Sequence, residues 1–344
     1  ALARILPPAA LLSATEDLKP YECDGLSAYR EVPLAVALPE SEAQVIAVLK
    51  ACCARGVPVV ARGAGTGLSG GALPHKHGVV LSLAKLKKIL HLDPVARVAV
   101  VQPGVRNLAI SEAAVACGLY YAPDPSSQIA CSIGGNVAEN SGGVHCLKYG
   151  LTVHNLLRVR AVTIEGEVVE FGNHALDAPG LNLLALLTGS EGMLAVVTEV
   201  TVKLTPKPLL AQVILASFDD VERAGAAVAG IIAAGIIPAG LEMMDQAATA
   251  AVELYVKAGY DLNAEAILLC ESDGTPEEVA DEIAAMRAVL ESSGATDIRV
   301  SQSEAQRLLY WSGRKAAFPA VGRISPDYYC MDGTIPRKRI AEML

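Results

Sequence analysis

The sequence predicts an α+β protein made of two domains. The chain has 344 residues, of which 52% are hydrophobic and only 4% aromatic, a composition typical of globular proteins that mix helices and sheets. Its first part alternates short apolar runs with glycine-rich loops, whereas from Pro206 onward alanine-rich helical stretches alternate with strands. This change of pattern places a domain boundary near Thr205–Pro208.

The first domain, residues 1–205, is predicted to contain short strands and few helices. Ser41 is a good N-cap for a helix, Gln44 completes a capping box, and Gly56 ends the helix. A later helix stops at Gly118. The predicted strands cover residues 57–63, 78–83, 96–105 and 192–206, with a hairpin over 156–172 that turns at Glu165–Gly166.

The second domain, residues 206–344, is predicted to alternate helices with strands. The uncharged run 224–241 contains Pro238 and several glycines, so we expect a packed helix and a loop here rather than a membrane span. A new helix begins just before Leu344, and we therefore expect this domain to be incomplete. The predicted helices cover residues 219–234, 241–258, 276–293 and 303–317, and the predicted strands cover 265–271, 297–301 and 327–336.

Charge and cysteine content exclude several classes of protein. The net charge of −9 disfavours nucleic-acid binding. Eight cysteines occur, none with CxxC spacing, so we expect reduced thiols in a cytoplasmic protein. The same spacing excludes an iron–sulfur or zinc frame, so any such cluster would lie on another chain. The N-terminal apolar run breaks at Pro7 and Pro8 and does not resemble a signal peptide.

The stretch VVARGAGTGLSGG, Val59–Gly71, is unusually rich in glycine. Bare backbone lets a ligand approach N–H groups closely, and phosphate is the usual ligand. A Walker A loop would end in Gly-Lys-Ser/Thr, and no lysine occurs here. The spacing of Gly65, Gly67 and Gly70 matches a dinucleotide fingerprint, but a proline and a strand follow instead of a helix. The remaining interpretation is a loop that binds pyrophosphate through its N–H groups, with Arg62 at its mouth.

Two more glycine-rich segments follow, each beside an apolar strand. Pro123–Gly143 is rich in serine, glycine and asparagine, which are too small to build a core and are suited to line an extended ligand. A third segment, TGSEG, covers residues 188–192 and leads into a strand. Ordinary tight turns are the alternative interpretation. Three such segments favour one large dinucleotide that lies across a sheet-based domain.

Together the motifs RGAGTGLSGG, PDPSS, SIGGNVAENSGG and TGSEG resemble the FAD-binding domain of the vanillyl-alcohol-oxidase superfamily. Within it, the sequence is most similar to the branch of glycolate oxidase D-subunits and D-lactate dehydrogenases. The resemblance implies an α+β fold, with a two-lobed FAD-binding domain of the PCMH (p-cresol methylhydroxylase) type over residues 1–205. Its two lobes would meet near residues 90–95, and an α+β cap domain that shapes the substrate site would follow over 206–344.

The resemblance also implies which residues bind FAD. The first loop would hold the pyrophosphate, the second segment would run beside the ribityl chain and flavin, and Val197 would lie near the adenine. Because the first loop contains no histidine, we expect the FAD to be bound non-covalently. The cofactor-binding residues are Arg62, Gly63, Ala64, Gly65, Thr66, Gly67, Leu68, Ser69, Gly70, Pro123, Asp124, Ser126, Ser127, Ser132, Gly134, Gly135, Asn136, Asn140, Gly142, Gly143, Glu191, Gly192 and Val197.

Two residues of the cap domain are candidates for the substrate site. Arg314 follows the chain's single tryptophan, Trp311, by three residues, and the resemblance implies that it grips a substrate carboxylate. The alternative is a surface arginine like its neighbour Lys315. Tyr329 is a weaker candidate, because Cys330 stands where some relatives have a lysine.

The histidine motif of the family, H-x-D-G-N-x-H, does not occur in the sequence. The six histidines show no metal-ligand spacing, and we expect His145, beside the NSGG motif, to be structural. No metal ligands are therefore assigned. A divalent metal and the general base are expected only with residues beyond Leu344.

The resemblance implies FAD-dependent oxidation of a small 2-hydroxy acid, glycolate or D-lactate, to the 2-oxo acid, by hydride transfer to flavin N5. Electrons would pass to an iron–sulfur subunit, a second flavin-domain subunit or a quinone rather than to NAD. The protein would be cytoplasmic and at most peripheral to the inner membrane. A stand-alone D-lactate or D-2-hydroxyglutarate dehydrogenase and a non-catalytic flavin-binding subunit are the alternatives.

Overall fold

A computed structural model describes residues 1–173, 179–325, 327–336 and 339–343. The chain divides into two compact units. The first consists of Ala1–Gly143 and Gly150–Lys207, and the second consists of Val144–Tyr149 and Pro208–Leu344. The short segment Val144–Tyr149 thus lies within the second unit although residues of the first unit flank it on both sides.

The N-terminal lobe of the first unit is a four-stranded sheet covered by a helix. Two of its three strand pairings are parallel, and both are made by the same inner strand, whose four residues are all buried, as an apolar strand between two neighbours requires. The helix that follows Ser41 begins where predicted, because Ser41 Oγ accepts a hydrogen bond from the N–H of Gln44. The predicted capping box is not completed, because Gln44 Oε1 accepts from the N–H of Glu40 rather than from that of Ser41. The strands are β1 (Leu11–Leu12), β2 (Ala35–Ala37), β3 (Val59–Arg62) and β4 (Val79–Ser82), in the order β1-β2-β4-β3, and the helices are α1 (Thr15–Leu18) and α2 (Glu42–Cys53).

The second lobe of the first unit is an antiparallel five-stranded sheet. The hairpin predicted at Glu165–Gly166 forms, and Gly166 has the positive φ that its turn requires. The sheet has the order β5-β6-β10-β8-β9, and two short strands, β7 and β11, pair beside it. The strands are β5 (Ile89–Asp93), β6 (Val98–Val101), β7 (Leu119–Tyr120), β8 (Leu156–Val162), β9 (Val168–Gly172), β10 (Val196–Lys203) and β11 (Thr205–Pro206). The helices are α3 (Asn107–Ala114), α4 (Ile133–Glu139), α5 (Cys146–Tyr149), which lies in the second unit, and α6 (Leu183–Leu187).

A carboxylate at the start of α2 joins the two lobes. Glu42 accepts hydrogen bonds from Arg160 of β8, at 2.8 and 2.9 Å, and from the hydroxyl of Thr198 of β10, at 2.7 Å. The hydrogen bond from Arg160 is the main cause that lowers the pKa of Glu42 below its ordinary value. Glu42 therefore ties the helix of the first lobe to two inner strands of the second lobe.

The second unit is an antiparallel sheet with helices on both faces. Buried side chains form one core against α7 and α9 and another against α8 and α10, which explains why β14 is buried along almost its whole length. The strand order is β13-β14-β12-β15. The strands are β12 (Leu210–Phe218), β13 (Gly240–Asp245), β14 (Ala266–Gly274) and β15 (Asp297–Val300), and the helices are α7 (Val221–Ala233), α8 (Gln246–Val256), α9 (Pro276–Ser292), α10 (Glu304–Lys315), α11 (Ala317–Gly322) and α12 (Ile340–Met343).

Two predicted elements of this unit were wrong. Residues 241–258 are not one helix, because the first of them pair with β14 and the helix begins only after Asp245, whose Oδ1 accepts from the N–H of Ala248 at 2.8 Å. Residues 327–336 form no strand within the described part of the chain. A strand needs a neighbour to pair with, and local β propensity does not supply one.

The uncharged run in this unit is a packed helix, as predicted. Ala224, Ala227 and Ile231 of α7 are completely buried in the core. In the part of the chain that the structure describes, no helix has the length and apolar character needed to cross a membrane.

Candidate functional site

The three glycine-rich segments meet at α4 in the first unit. Ser69 Oγ of the first segment donates to Glu139 Oε2, at 2.9 Å, at the last residue of this helix. From the third segment, the N–H groups of Gly189 and Glu191 donate to the carbonyls of Val137 and Ala138, each at 2.8 Å. The second segment contains α4 itself. Residues more than a hundred positions apart are therefore brought to one place, as a shared ligand requires.

The first loop carries a row of available hydrogen-bond donors. None of the backbone N–H groups from Ala64 to Gly71 donates to an acceptor within the described residues. Most of this loop is only half exposed. Because backbone N–H groups are rarely left without a partner, a row of this kind is chemically suited to an anionic ligand.

Arg62 fastens this loop from below. Its side chain is buried, lies over the ring of Tyr21, and donates through Nη1 to the carbonyl of Cys23 at 2.7 Å and to that of Ala72 at 3.4 Å. Asp24 accepts from the N–H of Ala72 at 3.3 Å. Burial lowers the pKa of Arg62, and the charge of Asp24 opposes that change. The structure thus uses Arg62 to support the loop, and its direct contact with a pyrophosphate stays a prediction.

A buried amide pair orders the second segment. Asn107 Nδ2 donates to the carbonyl of Pro123 and to Asn136 Oδ1, each at 3.0 Å. Asn136 Nδ2 in turn donates to Ser141 Oγ at 3.2 Å and to Cys131 Sγ at 3.4 Å. Asn107 therefore positions the PDPSS motif, and Asn136, which is bonded to it, positions the NSGG motif. Sequence reasoning missed Asn107, whose only signal is an amide at the start of a mostly apolar helix.

A carboxylate also lies beside the first loop. Burial raises the pKa of Glu139, the hydrogen bond from Ser69 lowers it, and the charges of Glu191 and Asp24 raise it further, with a net increase. The sequence analysis did not single out Glu139.

The other predicted FAD residues lie in three settings. Pro123 and Asp124 are buried, Ser126 is exposed, and Gly143 packs against the backbone of Asp124. Val197 is 7% exposed and belongs to the core of the second lobe, so its predicted adenine contact stays a prediction. The remaining predicted residues lie on the loops and on α4: Gly63, Gly65, Thr66, Gly67, Leu68, Gly70, Ser127, Ser132, Gly134, Gly135, Asn140, Gly142 and Gly192.

In the second unit, Arg314 is held by one carboxylate. Its Nε donates to Glu242 Oε2 at 2.8 Å, and both side chains are partly buried. Neither terminal amino group of Arg314 has an acceptor within the described residues. Two parallel donors therefore remain for a carboxylate. Tyr329, by contrast, is 61% exposed and lies outside any strand.

In the part of the chain that the structure describes, no group of three or more His, Cys, Asp or Glu residues is arranged to hold a metal ion. His174 lies outside the described residues. His145 lies in the second unit, where its Nε2 is 3.0 Å from Glu271 Oε1.

Known protein families match both units. A family described as FAD binding domain matches residues 33–172, and a family described as FAD linked oxidases, C-terminal domain, matches residues 207–344. The glycolate oxidase subunit GlcD of Escherichia coli is 62% identical over 344 residues, which are 100% of this chain and 69% of that protein. A D-lactate dehydrogenase of Anaerostipes hadrus is 32% identical over 349 residues, which are 98% of this chain and 73% of that protein.

A solved structure gives the fold independently. Crystalline p-cresol methylhydroxylase with bound substrate superposes with a TM-score of 0.71 over 91% of this chain and 67% of its own, at 18% identity. At that identity the likeness shows the fold alone. The predicted PCMH-type fold and the prediction of FAD as the cofactor are confirmed by these matches.

Proposed function

The chain belongs to the family of FAD-linked oxidases, and from this premise we propose that its first unit binds FAD and that the protein oxidises a small 2-hydroxy acid to the 2-oxo acid. One observation carries the assignment of the cofactor site. The N–H groups from Ala64 to Gly71 lack acceptors among the described residues, and a pyrophosphate supplies acceptors of the right charge. Glycolate and D-lactate are the candidate substrates, because one relative is named a glycolate oxidase subunit and another a D-lactate dehydrogenase.

Each part of the chain has a separate task in this proposal. The first loop holds the pyrophosphate, while Asn107 and Asn136 order the segments that line the ribityl chain and flavin. FAD, when bound, supplies the redox chemistry by accepting the hydride at N5. Arg314 binds the substrate carboxylate through its terminal amino groups and fixes the orientation of the acid. Glu242 holds the Nε edge of Arg314 and so fixes the plane of the guanidinium.

The protein is proposed to act within an assembly. Its relative in Escherichia coli is named a subunit, and the cysteines of this chain lack the spacing of an iron–sulfur cluster. Electrons therefore leave for an iron–sulfur subunit, a second flavin-domain subunit or a quinone, on the cytoplasmic side and at most peripheral to the membrane. If no iron–sulfur protein co-purifies with this protein, that result would instead favour a stand-alone D-lactate dehydrogenase.

Anaerobic titration of the purified protein with glycolate and with D-lactate tests the reaction. We expect flavin absorbance bands that bleach on addition of one of the two acids. Bands that are present but bleach with neither acid would support a non-catalytic flavin-binding subunit. A protein that takes up no FAD would contradict the proposed cofactor site.

Gly67 offers a sharper test of the pyrophosphate site. Its φ is not in the left-handed region, and the nearest atom to a Cβ at this position would be Glu139 Oε1, at an ordinary 3.7 Å. Alanine therefore fits the protein, so that only a ligand close to the backbone would require glycine. We expect Gly67→Ala to keep its thermal stability and to bind FAD about 10-fold more weakly, since hydrogen bonds to a charged group contribute about 1.5–3 kcal/mol each.

Gly322→Ala is the matched control, because a Cβ at Gly322 meets nothing within 4 Å, its φ is ordinary, and Gly322 lies in the second unit, outside the first loop. Both variants are compared by calorimetry and by FAD titration with fluorescence detection. Wild-type FAD affinity in Gly67→Ala would rule out close approach of the pyrophosphate at this residue.

Arg314 is tested by Arg314→Lys, which keeps the charge and removes the planar pair of donors. We expect kcat/KM for the hydroxy acid to fall about 10- to 100-fold with FAD binding unchanged, since hydrogen bonds to charged groups contribute about 1.5–3 kcal/mol. Arg287→Lys, an exposed arginine of the same unit that pairs with Glu291, is the control. Equal kcat/KM values in the two variants would mean that Arg314 is a structural arginine and does not bind the substrate.

A further inference from the structure

The segment Val144–Tyr149, which we call the strap, connects the two units in an unusual way. It follows directly after the NSGG motif and precedes Gly150, both of which belong to the first unit. The strap itself lies in the second unit, where Val144 is buried in a core with Trp311. The chain therefore enters the second unit and returns from it within a few residues of the predicted FAD site.

A buried carboxylate of β14 holds the end of the strap. Asp273 is 4% exposed, and its Oδ1 and its backbone carbonyl accept from Lys148 Nζ at 2.6 and 2.7 Å. Its Oδ2 accepts from the hydroxyl of Tyr149 at 2.7 Å. Every hydrogen bond of the Asp273 side chain within the described residues thus goes to the strap.

A second buried carboxylate holds the beginning of the strap. Glu271 lies two residues earlier on the same strand, so both side chains point to one face of the sheet. Its Oε1 is 3.0 Å from His145 Nε2, and because an ionised carboxylate only accepts, this nitrogen carries the hydrogen. Arg307 and Trp311 also donate to Glu271. Both ends of the strap are consequently fixed to one strand.

We propose that Asp273 and Glu271 are positioning residues for the FAD site, acting through the strap on the backbone of Asn140–Gly143. The inference rests on the proposed function, which assigns FAD contacts to Asn140–Gly143. A chain segment whose far side is pinned has fewer accessible conformations, so that less conformational entropy is lost when it orders around a ligand. The first residue of the strap, Val144, is bonded directly to Gly143, so fixing the strap restricts the backbone conformations of Asn140–Gly143.

Asp273→Asn tests this inference, with two measurements on the full chain. In FAD-free protein, hydrogen exchange of the Ser141 amide, which donates to the carbonyl of Asn136 at 3.0 Å, is expected to accelerate about 10-fold. FAD affinity, measured by titration, is expected to fall about 10-fold. Tyr149→Phe removes only one of the hydrogen bonds and should show a smaller change in the same direction.

Glu282→Gln is the matched control. This glutamate accepts from Ser272 Oγ at 2.6 Å, so it contacts the same strand between the two strap carboxylates but on its opposite face. It should change neither the exchange of Ser141 nor the affinity for FAD. If Asp273→Asn lowers only the melting temperature, as a purely structural residue would, the inference is overturned. The exchange measurement needs no FAD, so wild-type protein that fails to bind FAD would contradict the proposed function without deciding the role of the strap.

Discussion

Replacing Glu271 with glutamine is expected to destabilise the second unit by about 3–5 kcal/mol, the usual cost of removing one partner from a buried ion pair. Glu271 is 1% exposed and accepts hydrogen bonds from His145, Arg307 and Trp311. An amide cannot balance the charge of Arg307, and its NH₂ group cannot accept from any of these donors. The partly buried guanidinium of Arg307 would lose its buried partner and keep only the exposed Glu304.

The protein carries its own probe for this measurement. Trp311 is the only tryptophan of the chain and lies in the second unit, so its fluorescence during urea unfolding reports on that unit alone. The control is Glu304→Gln, because Glu304 also pairs with Arg307 but its side chain is 64% exposed. An exposed pair contributes about 0–1 kcal/mol, so the control should unfold close to wild type. Equal losses in both variants would mean that burial of Glu271 carries no special weight.

The effect should also depend on pH in a defined direction. Burial acts to raise the pKa of Glu271, but His145, Arg307 and Trp311 together lower it below the ordinary value of 4.5. A carboxylate with a lowered pKa in the folded protein stabilises it above the unfolded pKa and loses that contribution as the pH falls through the folded pKa. The difference in unfolding free energy between wild type and Glu271→Gln should be full near neutral pH and shrink progressively below about pH 4.5.

The largest effect on the cofactor is expected from Gly143→Ala. A Cβ at Gly143 would stand 2.5 Å from the carbonyl carbon and 2.6 Å from the carbonyl oxygen of Asp124. These are backbone atoms that cannot rotate away, so the PDPSS and NSGG motifs would have to separate. We expect a loss of about 1–3 kcal/mol in stability from overpacking. FAD affinity should fall about 100-fold or more, because both separated segments are proposed to line the cofactor.

Comparison with Gly67→Ala separates the two roles of glycine at this site. Gly67→Ala should weaken FAD binding with no loss of stability, whereas Gly143→Ala should reduce both. Calorimetry and FAD titration on the pair, with Gly322→Ala as the common control, decide the matter. A Gly143→Ala variant that binds FAD like wild type would show that the spacing of these two motifs does not shape the site.

The parts of the fold that local chemistry determines could be predicted from sequence. The cap at Ser41 and the hairpin at Gly166 depend on a few neighbouring residues, and both formed as expected. The start of α8 was predicted wrongly. The residues Gly240–Asp245 before it are compatible with a helix or a strand, and their pairing with β14 makes them a strand.

The residues of the candidate site could be predicted from sequence, but the contacts that hold them in place could not. The three glycine-rich segments predicted one shared ligand, and the structure brings these segments together at α4. The inward turn of the Arg62 side chain depends on Cys23 and Ala72, and the strap depends on Glu271 and Asp273. Such partners lie far away in sequence, and no local pattern identifies them.

The strap also changes what counts as the second domain of this protein. A fragment that starts at Pro208 contains every strand of the second sheet but lacks the lysine and histidine that face its buried carboxylates. In such a fragment Asp273 would lose the side-chain hydrogen bonds that it makes to Lys148 and Tyr149, and an apolar gap would remain where Val144 packs. During synthesis, β14 likewise emerges long after the residues that it holds, so the polar cluster closes late in folding. A recombinant fragment, a domain exchange or a circular permutation that keeps this unit intact has to include residues 144–149.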